Sequence, residues 1–182
     1  YINYDSVKYF EDIEVDCKND NIDIPDIYYA FYSNIIVINV FNNEAIIYNH
    51  SFKTPSNINQ ISDLIFNEKV PNYPFKKCGK IKTNMKDKDY LNLVKKGIKH
   101  CYRGDVFQIV LSRRFEQKFV GDEFKLYRAL RSINPSPYLF YFDYGNYKIF
   151  GSSPEAQIIV KDKKAEIHPI AGTFKRTGND SK

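Results

Sequence analysis

The chain has 182 residues, of which 43% are hydrophobic and 27% charged, with a formal net charge of +5 at pH 7. This length is sufficient for one domain with a sizeable core, and no run approaches the roughly 20 apolar residues that cross a bilayer, so no membrane partner is expected. The lysines are interspersed with acidic residues, so no nucleic-acid partner is expected either, although an RNA-binding domain stays open on charge alone.

The three cysteines, Cys17, Cys78 and Cys101, are odd in number and show neither a close pair nor a metal-ligand spacing. The three histidines do not cluster with them. This pattern is typical of reduced thiols, so we predict a cytoplasmic protein and no metal site built from these residues.

The first half of the chain begins with YINYDSVKYFE (1–11), an aromatic-rich segment that reads as strand-like. Two β-branched runs follow, Ile35 to Phe41 and Glu44 to Tyr48. They are joined at Asn42-Asn43, a turn-prone pair, so these runs predict a β-hairpin.

Residues 56–70 carry apolar side chains at helical spacing, with Ser56 as the N-cap and Pro71 as the stop. Lys76 to Thr83 is polar and contains Gly79, so it is predicted to be a connector.

The strongest helix signal covers Asp87 to Tyr102. Its apolar stripe consists of Tyr90, Leu91, Val94, Ile98 and Cys101. Gly104 follows where a left-handed C-cap residue is expected. Val106 to Phe115 then alternates as a strand, with Gln108 on the face opposite Phe107.

Asp122 to Ile133 predicts a further helix, which NPSP (134–137) ends because proline has no backbone donor. Four short strands are predicted after it: Tyr138 to Tyr144, Lys148 to Phe150, Gln157 to Val160 and Glu166 to Ile170. Their turns are Gly145-Asn146 and Lys161 to Lys164. Short strands joined by tight turns pair antiparallel, so the predicted class is α+β.

Two late motifs have functional chemistry. In PIAGT (169–173), Gly172 and Thr173 offer an unhindered backbone amide beside a hydroxyl, which suits a small carboxylate ligand. In SSPEA (152–156), Glu155 lies between a proline turn and an apolar strand. If partly buried, it would have a raised pKa and act as a general acid. The ordinary alternatives are a sheet-end turn and a glutamate that caps a turn.

Five segments occur in an order and spacing that resemble the chorismate-utilising enzymes, and among them most closely the anthranilate synthase large subunits (component I). The segments are residues 1–11, 83–115, 134–145, 151–160 and 168–178. The resemblance implies an antiparallel α/β sandwich with the active site between two sheet systems. This chain would be an incomplete chorismate-binding domain, with 1–75 supplying a hairpin and helix and 83–182 the first half of the catalytic region.

The resemblance also implies a reaction and partners. Anthranilate synthases convert chorismate and ammonia, delivered from glutamine, into anthranilate and pyruvate in tryptophan biosynthesis. The implied partners are a glutamine amidotransferase subunit, Mg²⁺ held by ligands outside this chain, and L-tryptophan as an inhibitor. The chain alone is therefore expected to be inactive.

Individual residues inherit roles from the resemblance. Gly172 and Thr173 match the position that binds the substrate's carboxylate or enolpyruvyl side, and Glu155 matches a glutamate near the departing C4 hydroxyl. Gln108 occupies the place where relatives that add water carry a lysine. Because a neutral amide cannot serve as a base, it argues against hydration, unless it is only a structural polar side chain.

Two further positions distinguish branches of the family. Ala171 stands where many aminodeoxychorismate synthases carry a nucleophilic lysine, so the anthranilate branch is favoured and the aminodeoxychorismate branch is the alternative. An enzyme making 2-amino-2-deoxyisochorismate would also fit. Pro137, Tyr138 and Leu139 match a stretch that contacts tryptophan, where a proline and an aromatic form a wall for an indole. A plain corner, or a non-catalytic tryptophan-binding regulatory module, would also carry this stretch.

Overall fold

The computed structural model describes four stretches of the chain, residues 1–14, 23–51, 55–67 and 71–170. It divides into two compact units, Tyr1–Pro71 and Asn72–Lys182. The strand pairs are β1–β2 (Asn34–Asn39 and Glu44–Asn49), β3–β4 (Phe75–Thr83 and Phe115–Gly121), β5–β6 (Tyr138–Asp143 and Lys148–Ser153) and β7–β8 (Ile159–Lys161 and Lys164–Glu166). The α-helices are α1 (Ile58–Phe66), α2 (Asp87–Arg103) and α3 (Glu123–Ile133). All four strand pairs are antiparallel, which confirms the α+β class.

The N-terminal segment is a 3₁₀ helix at Tyr4–Tyr9, so the strand-like prediction for residues 1–11 was wrong. Asn3 causes the difference, because its Oδ1 accepts the backbone N–H of Ser6 at 3.0 Å and caps the helix. The hydroxyl of Ser6, which is 1% exposed, donates to the carbonyl of Asp26 at 3.0 Å. The 3₁₀ helix is thereby tied to a segment some twenty residues further along the chain.

The carboxylate of Asp26 is the polar centre of the first unit. Its oxygens accept from Asn3 Nδ2 and from the Tyr9 hydroxyl, each at 2.8 Å, and form an ion pair with Lys8 Nζ at 2.9 Å. These bonds, with Lys8 first, lower the pKa of Asp26 from 3.8 to about 2.

This shift predicts a pH dependence. A carboxyl whose pKa falls on folding contributes stability that is complete above pH 3.8 and is lost as the pH falls from 3.8 towards about 2. D26N is therefore expected to flatten the dependence of the first unit's unfolding midpoint on pH between 4 and 2. D23N, which changes an exposed aspartate close by, should keep the steep dependence. Equal slopes in both variants would remove Asp26 as its source.

The hairpin predicted around Asn42-Asn43 is confirmed: β1 pairs with β2 from Asn34↔Asn49 to Asn39↔Glu44. Asn43 takes a positive φ of 55°, which asparagine tolerates better than most residues. Helix α1 is shorter than the predicted 56–70. It begins at Ile58 and ends at Phe66, before Pro71 is reached. Asn57, not Ser56, is its N-cap residue, although the Ser56 hydroxyl accepts from Ile58 N at 3.4 Å.

Residues 76–83 are not a connector, as predicted, but lie in strand β3. The prediction failed because the partner strand, β4, lies beyond α2 in the sequence, and no local pattern encodes such a pairing. Polar side chains fit here because β3 is largely exposed. The ladder shifts register between Cys78 and Lys82, with Gly79 at φ +71°. The amide of Gln117 closes this irregularity by donating to Cys78 O at 2.6 Å.

Helix α2 and its C-cap are confirmed, since Gly104 adopts φ 80°. The strand predicted for Val106 to Phe115 was wrong, because residues 106–114 form no strand and β4 begins only at Phe115. The segment lies along α2 instead. The Tyr90 hydroxyl donates to Leu111 O at 3.3 Å, and a Cβ on Gly97 would stand 3.3 Å from Cγ2 of Ile109. Ile109 and Leu111 thus contact the helix and not a neighbouring strand.

The helix predicted at Asp122 to Ile133 is confirmed as α3, whose N-cap Asp122 accepts from Phe124 N at 2.9 Å. Phe124 meets Tyr141 edge-on at 5.0 Å between ring centroids, and Tyr127 lies 6.1 Å from Phe150. Such aromatic pairs add to the stabilisation gained from buried area. Helix α3 therefore covers one face of the β5–β6 hairpin.

An ion pair fastens the same contact. Lys148 Nζ lies 2.9 Å from Glu123 Oε1 and 3.6 Å from Asp143 Oδ1. The bond raises the pKa of Lys148 and lowers that of Glu123. Partial burial, followed by the nearby Glu123 charge, raises the pKa of the Tyr141 hydroxyl. The face of the β5–β6 hairpin that carries Tyr141 therefore packs against α3.

Both later turns are confirmed: Gly145 has φ 83°, and Asp162 and Lys163 have φ 50° and 61°. The last pair of strands is shorter than predicted. Strand β7 covers Ile159–Lys161, and β8 ends at Glu166, so residues 167–170 are not a strand.

No hydrophobic side chain within the described stretches is fully buried, so the predicted sizeable core is not found there. Phe31 and Phe107 are fully exposed. Each sheet in the described stretches has two strands, and a two-stranded sheet offers too little apolar surface to be more than marginally stable by itself. Among the described residues, no helix combines the length and apolar character that a bilayer span requires.

Candidate active site

The site begins at the corner between α3 and β5. Asn134 closes the helix by donating its N–H to Leu130 O at 2.8 Å. Pro135 and Pro137 follow, and because neither has a backbone donor the helix cannot continue. The chain therefore turns and enters β5 at Tyr138.

The strand register brings two separately predicted motifs together. Tyr138 pairs with Ser153, and Leu139 pairs with Ser152. The Ser152 hydroxyl also donates to Asn134 O at 2.6 Å and so fastens β6 to the corner. The proposed tryptophan stretch and the SSPEA motif thus lie at the same end of the hairpin. In that stretch Pro137 and Tyr138 are exposed, and Leu139 is half-buried.

The two faces of this hairpin differ. Directly paired residues in an antiparallel sheet share a face, and successive residues along a strand point to opposite faces. Tyr141 and Phe150 are on the face that α3 covers. Tyr138 and Ser153 are on the other face. Phe140, also on that face, lies over Gly151, where a Cβ would stand 2.7 Å from the ring's Cζ. A close-packed aromatic ring therefore forms part of this face.

Glu155 follows β6 and is half-buried. The Ser153 hydroxyl donates to Glu155 O at 2.8 Å and accepts from Glu155 N at 3.3 Å. The carboxylate Oε1 of Glu155 accepts the backbone N–H of Ile170 at 3.4 Å. Glu155 does accept from a backbone amide, as the capping alternative requires, but that amide is fifteen residues away, at Ile170 of PIAGT. SSPEA and PIAGT therefore meet at the carboxylate of Glu155.

The predicted carboxylate-binding pair, Gly172 and Thr173, lies outside the described residues, and so does Ala171. Their roles remain predictions. The described chain ends at Ile170, one residue before Ala171, in contact with Glu155.

Gln108 lies in the segment that runs along α2, and it is exposed. The prediction that it sits on one face of a strand was wrong, since no strand forms there. Within the part of the chain that the structure describes, no hydrogen bond joins its amide to the β5–β6 hairpin. Its role in binding substrate stays a prediction.

Sequence reasoning missed the supporting residues of the site. Ser152, Ser153 and Asn134 make the hydrogen bonds that hold the corner and Glu155. The sequence did contain a signal for Ser153, because a serine side chain in a turn readily bonds the backbone of the second residue after it, here Glu155. The contact with Ile170 had no such signal, because it joins two separate segments.

The described residues do not by themselves fit a metal ion. No group of three or more His, Cys, Asp or Glu side chains that could hold one occurs in those stretches. Mg²⁺ usually takes one or two carboxylates together with water and substrate oxygens. No step of the chemistry is therefore assigned to a metal on these residues.

Comparison with known proteins establishes the family. A family model described as chorismate binding enzyme matches residues 1–182, so the chain belongs to the chorismate-binding enzyme family. Among solved structures, anthranilate synthase component I from Streptococcus pneumoniae TIGR4 superimposes with a TM-score of 0.68 at 27% identity. The match covers 89% of this chain and 39% of that one, and it confirms the predicted fold.

Curated relatives point to one branch of this family. The chain is 32% identical over 203 residues to anthranilate synthase alpha subunit 2, chloroplastic, of Arabidopsis thaliana, covering 97% of this chain and 32% of the relative. It is 31% identical over 177 residues to anthranilate synthase component 1 of Methanothermobacter thermautotrophicus, covering 97% and 36%. The chain thus spans about a third of the length of these relatives.

Proposed function

We propose that the protein carrying this chain is the chorismate-binding subunit of anthranilate synthase. The observation that supports this most strongly is the hydrogen bond from Ile170 N to Glu155 Oε1. It joins SSPEA to the start of PIAGT, the two motifs with candidate acid and carboxylate-binding residues. The names of the similar proteins, anthranilate synthase component 1 and alpha subunit, support the same branch.

The proposed reaction converts chorismate and ammonia into anthranilate, pyruvate and water. Ammonia attacks C2 of the ring while the C4 hydroxyl departs, and Glu155, in its protonated form, donates the proton that turns this hydroxyl into water. Loss of a ring proton and of the enolpyruvyl group, released as pyruvate, then gives the aromatic product. The amide of Gly172 and the hydroxyl of Thr173 would hold a substrate carboxylate through these steps.

Other parts of the proposal rest on single residue types. Gln108 has no basic group, which favours ammonia over an activated water as the nucleophile. Ala171 cannot form a covalent bond to the ring, which favours anthranilate over aminodeoxychorismate. Pro137, Tyr138 and Leu139 remain candidates for binding L-tryptophan, since the register puts them beside SSPEA.

The partners also belong to the proposal. Relatives named component 1 or alpha subunit are parts of a larger enzyme. A glutamine amidotransferase subunit would supply ammonia here, and Mg²⁺ would be held by ligands beyond the described residues. A cytoplasmic location is supported by the free thiols of Cys78 and Cys101.

Product identification tests the proposal. A polypeptide of the relatives' length that carries these 182 residues is incubated with chorismate, an ammonium salt and Mg²⁺, and the products are identified by mass spectrometry. We expect anthranilate and pyruvate in equal amounts. Aminodeoxychorismate without pyruvate would assign the other branch. Tryptophan binding with no product and no chorismate binding in calorimetry would indicate a regulatory module.

A further inference from the structure

We propose that Ser153 is a positioning residue that sets the carboxylate of Glu155 against the backbone of Ile170. This inference rests on the proposed function for the role it gives Glu155. Its evidence is the pair of hydrogen bonds between the Ser153 hydroxyl and the backbone of Glu155, at 2.8 and 3.3 Å. One hydroxyl thus holds both the N–H and the carbonyl of the residue that has the candidate acid.

Ser153 is itself held in place. It is the last residue of β6, half-buried, and paired in register with Tyr138. Its neighbour Ser152 points to the opposite face and bonds Asn134 O at 2.6 Å. The strand end is therefore fastened on one face to the corner after α3, and on the other to Glu155. Serine two residues before Glu155 is well suited to this task, because its short side chain reaches the backbone of the second residue along.

Proline adds to the restraint. Pro154 lies between the two bonded residues and fixes its own φ near −65°, so the turn has few alternative conformations. The N–H and the carbonyl of Glu155 are both held by Ser153, and the carboxylate Oε1 of Glu155 accepts the N–H of Ile170 at 3.4 Å. Ser153, Glu155 and Ile170 form a chain of hydrogen bonds from the hairpin to the residue before Ala171-Gly172.

Catalysis makes such a restraint necessary. A general acid must lie within hydrogen-bond reach of the oxygen that it protonates, and a displacement of about 1 Å can cost about 100-fold in rate. Loss of the Ser153 hydroxyl would free the backbone of Glu155 without removing the carboxylate. A lower kcat with little change in KM is expected from such a loss, because substrate contacts remain.

Hydrogen exchange tests the positioning directly and needs no substrate. The experiment uses a polypeptide as long as the relatives that carries these 182 residues. In it, S153A should speed amide exchange at Glu155 and at Ile170 by about fivefold, the factor expected from losing one hydrogen bond. Amides inside the β5–β6 ladder serve as the internal reference, since general loosening would speed them too. S132A, which removes a serine hydroxyl that bonds Arg128 O within α3, should leave the exchange of both amides unchanged.

Turnover supplies the second readout. S153A should lower kcat by about 10-fold to 100-fold at nearly constant KM, and S153T, which restores a hydroxyl, should recover most of it. S132A is also the control for activity, because the Ser132 hydroxyl bonds Arg128 O within α3 and takes no part in the bonds around Glu155 that the structure describes.

The two readouts separate this proposal from the proposed function. Unchanged exchange at Ile170 in S153A would overturn the positioning role, whatever the product is. So would a fall in kcat that S153T does not recover. If the parent protein makes no anthranilate but exchange responds as expected, the positioning role stands and the proposed function fails.

Discussion

Replacing Glu155 with glutamine is expected to lower kcat by about 10²-fold to 10⁴-fold, the range that a general acid contributes. Glutamine keeps the size of the side chain and an oxygen that accepts the N–H of Ile170, but it cannot donate a carboxyl proton. The loss should therefore appear in kcat and only weakly in KM. Steady-state kinetics with chorismate and ammonia measure both.

The matched control is E166Q, the same change at an exposed glutamate on β8. Glu166 Oε2 lies 3.5 Å from His168 Nε2, and both side chains are exposed to solvent. Exposed ion pairs of this kind contribute little to stability. E166Q should keep the parent's activity. An E155Q variant that retains activity within about threefold of the parent would exclude Glu155 as the acid.

The second large effect is expected at Gly121, the last residue of β4. It has φ +99°, and a Cβ there would stand 1.7 Å from the carbonyl oxygen of Pro74. G121A should therefore lower the free energy of unfolding by at least about 2 kcal/mol, from backbone strain and overlap together. Because the overlapping atom belongs to the backbone, no side-chain rotation relieves it. Urea denaturation of parent and variant measures the difference.

Gly79, in the partner strand β3 of the same two-stranded sheet, provides the matched control. Its φ of +71° is also positive, but a Cβ there would meet nothing within 4 Å. G79A should therefore cost only the conformational penalty of about 1–2 kcal/mol. Equal losses of stability in G121A and G79A would show that the overlap with Pro74 is relieved, contrary to the expectation.

Elements with local signals could be predicted from the sequence. Helices α2 and α3 have an amphipathic stripe and a C-cap or N-cap residue, Gly104 or Asp122, within the same stretch. The turns at Asn43 and Gly145 were also predictable, because the residue type itself favours the positive φ that each turn needs.

Elements that depend on distant partners could not be predicted. The polar sequence of β3 predicted a connector. It forms a strand because it pairs with β4, which lies more than thirty residues further along the chain. Residues 106–114 alternate like a strand, yet two of their apolar side chains, Ile109 and Leu111, lie against Gly97 of α2. In the site, Glu155 was identified from its motif, whereas its contact with Ile170 arises only when two segments meet in space.

We propose that Glu155 and the pair Gly172 and Thr173 share one binding site for chorismate. A crystal structure of the protein at the length of its relatives, with chorismate bound in the E155Q variant, tests this most directly. We predict a substrate carboxylate within hydrogen-bond distance of Gly172 N and the Thr173 hydroxyl, and the C4 hydroxyl beside residue 155. Chorismate bound elsewhere, or residues 172 and 173 facing bulk solvent, would show that Glu155 and this pair do not form one site.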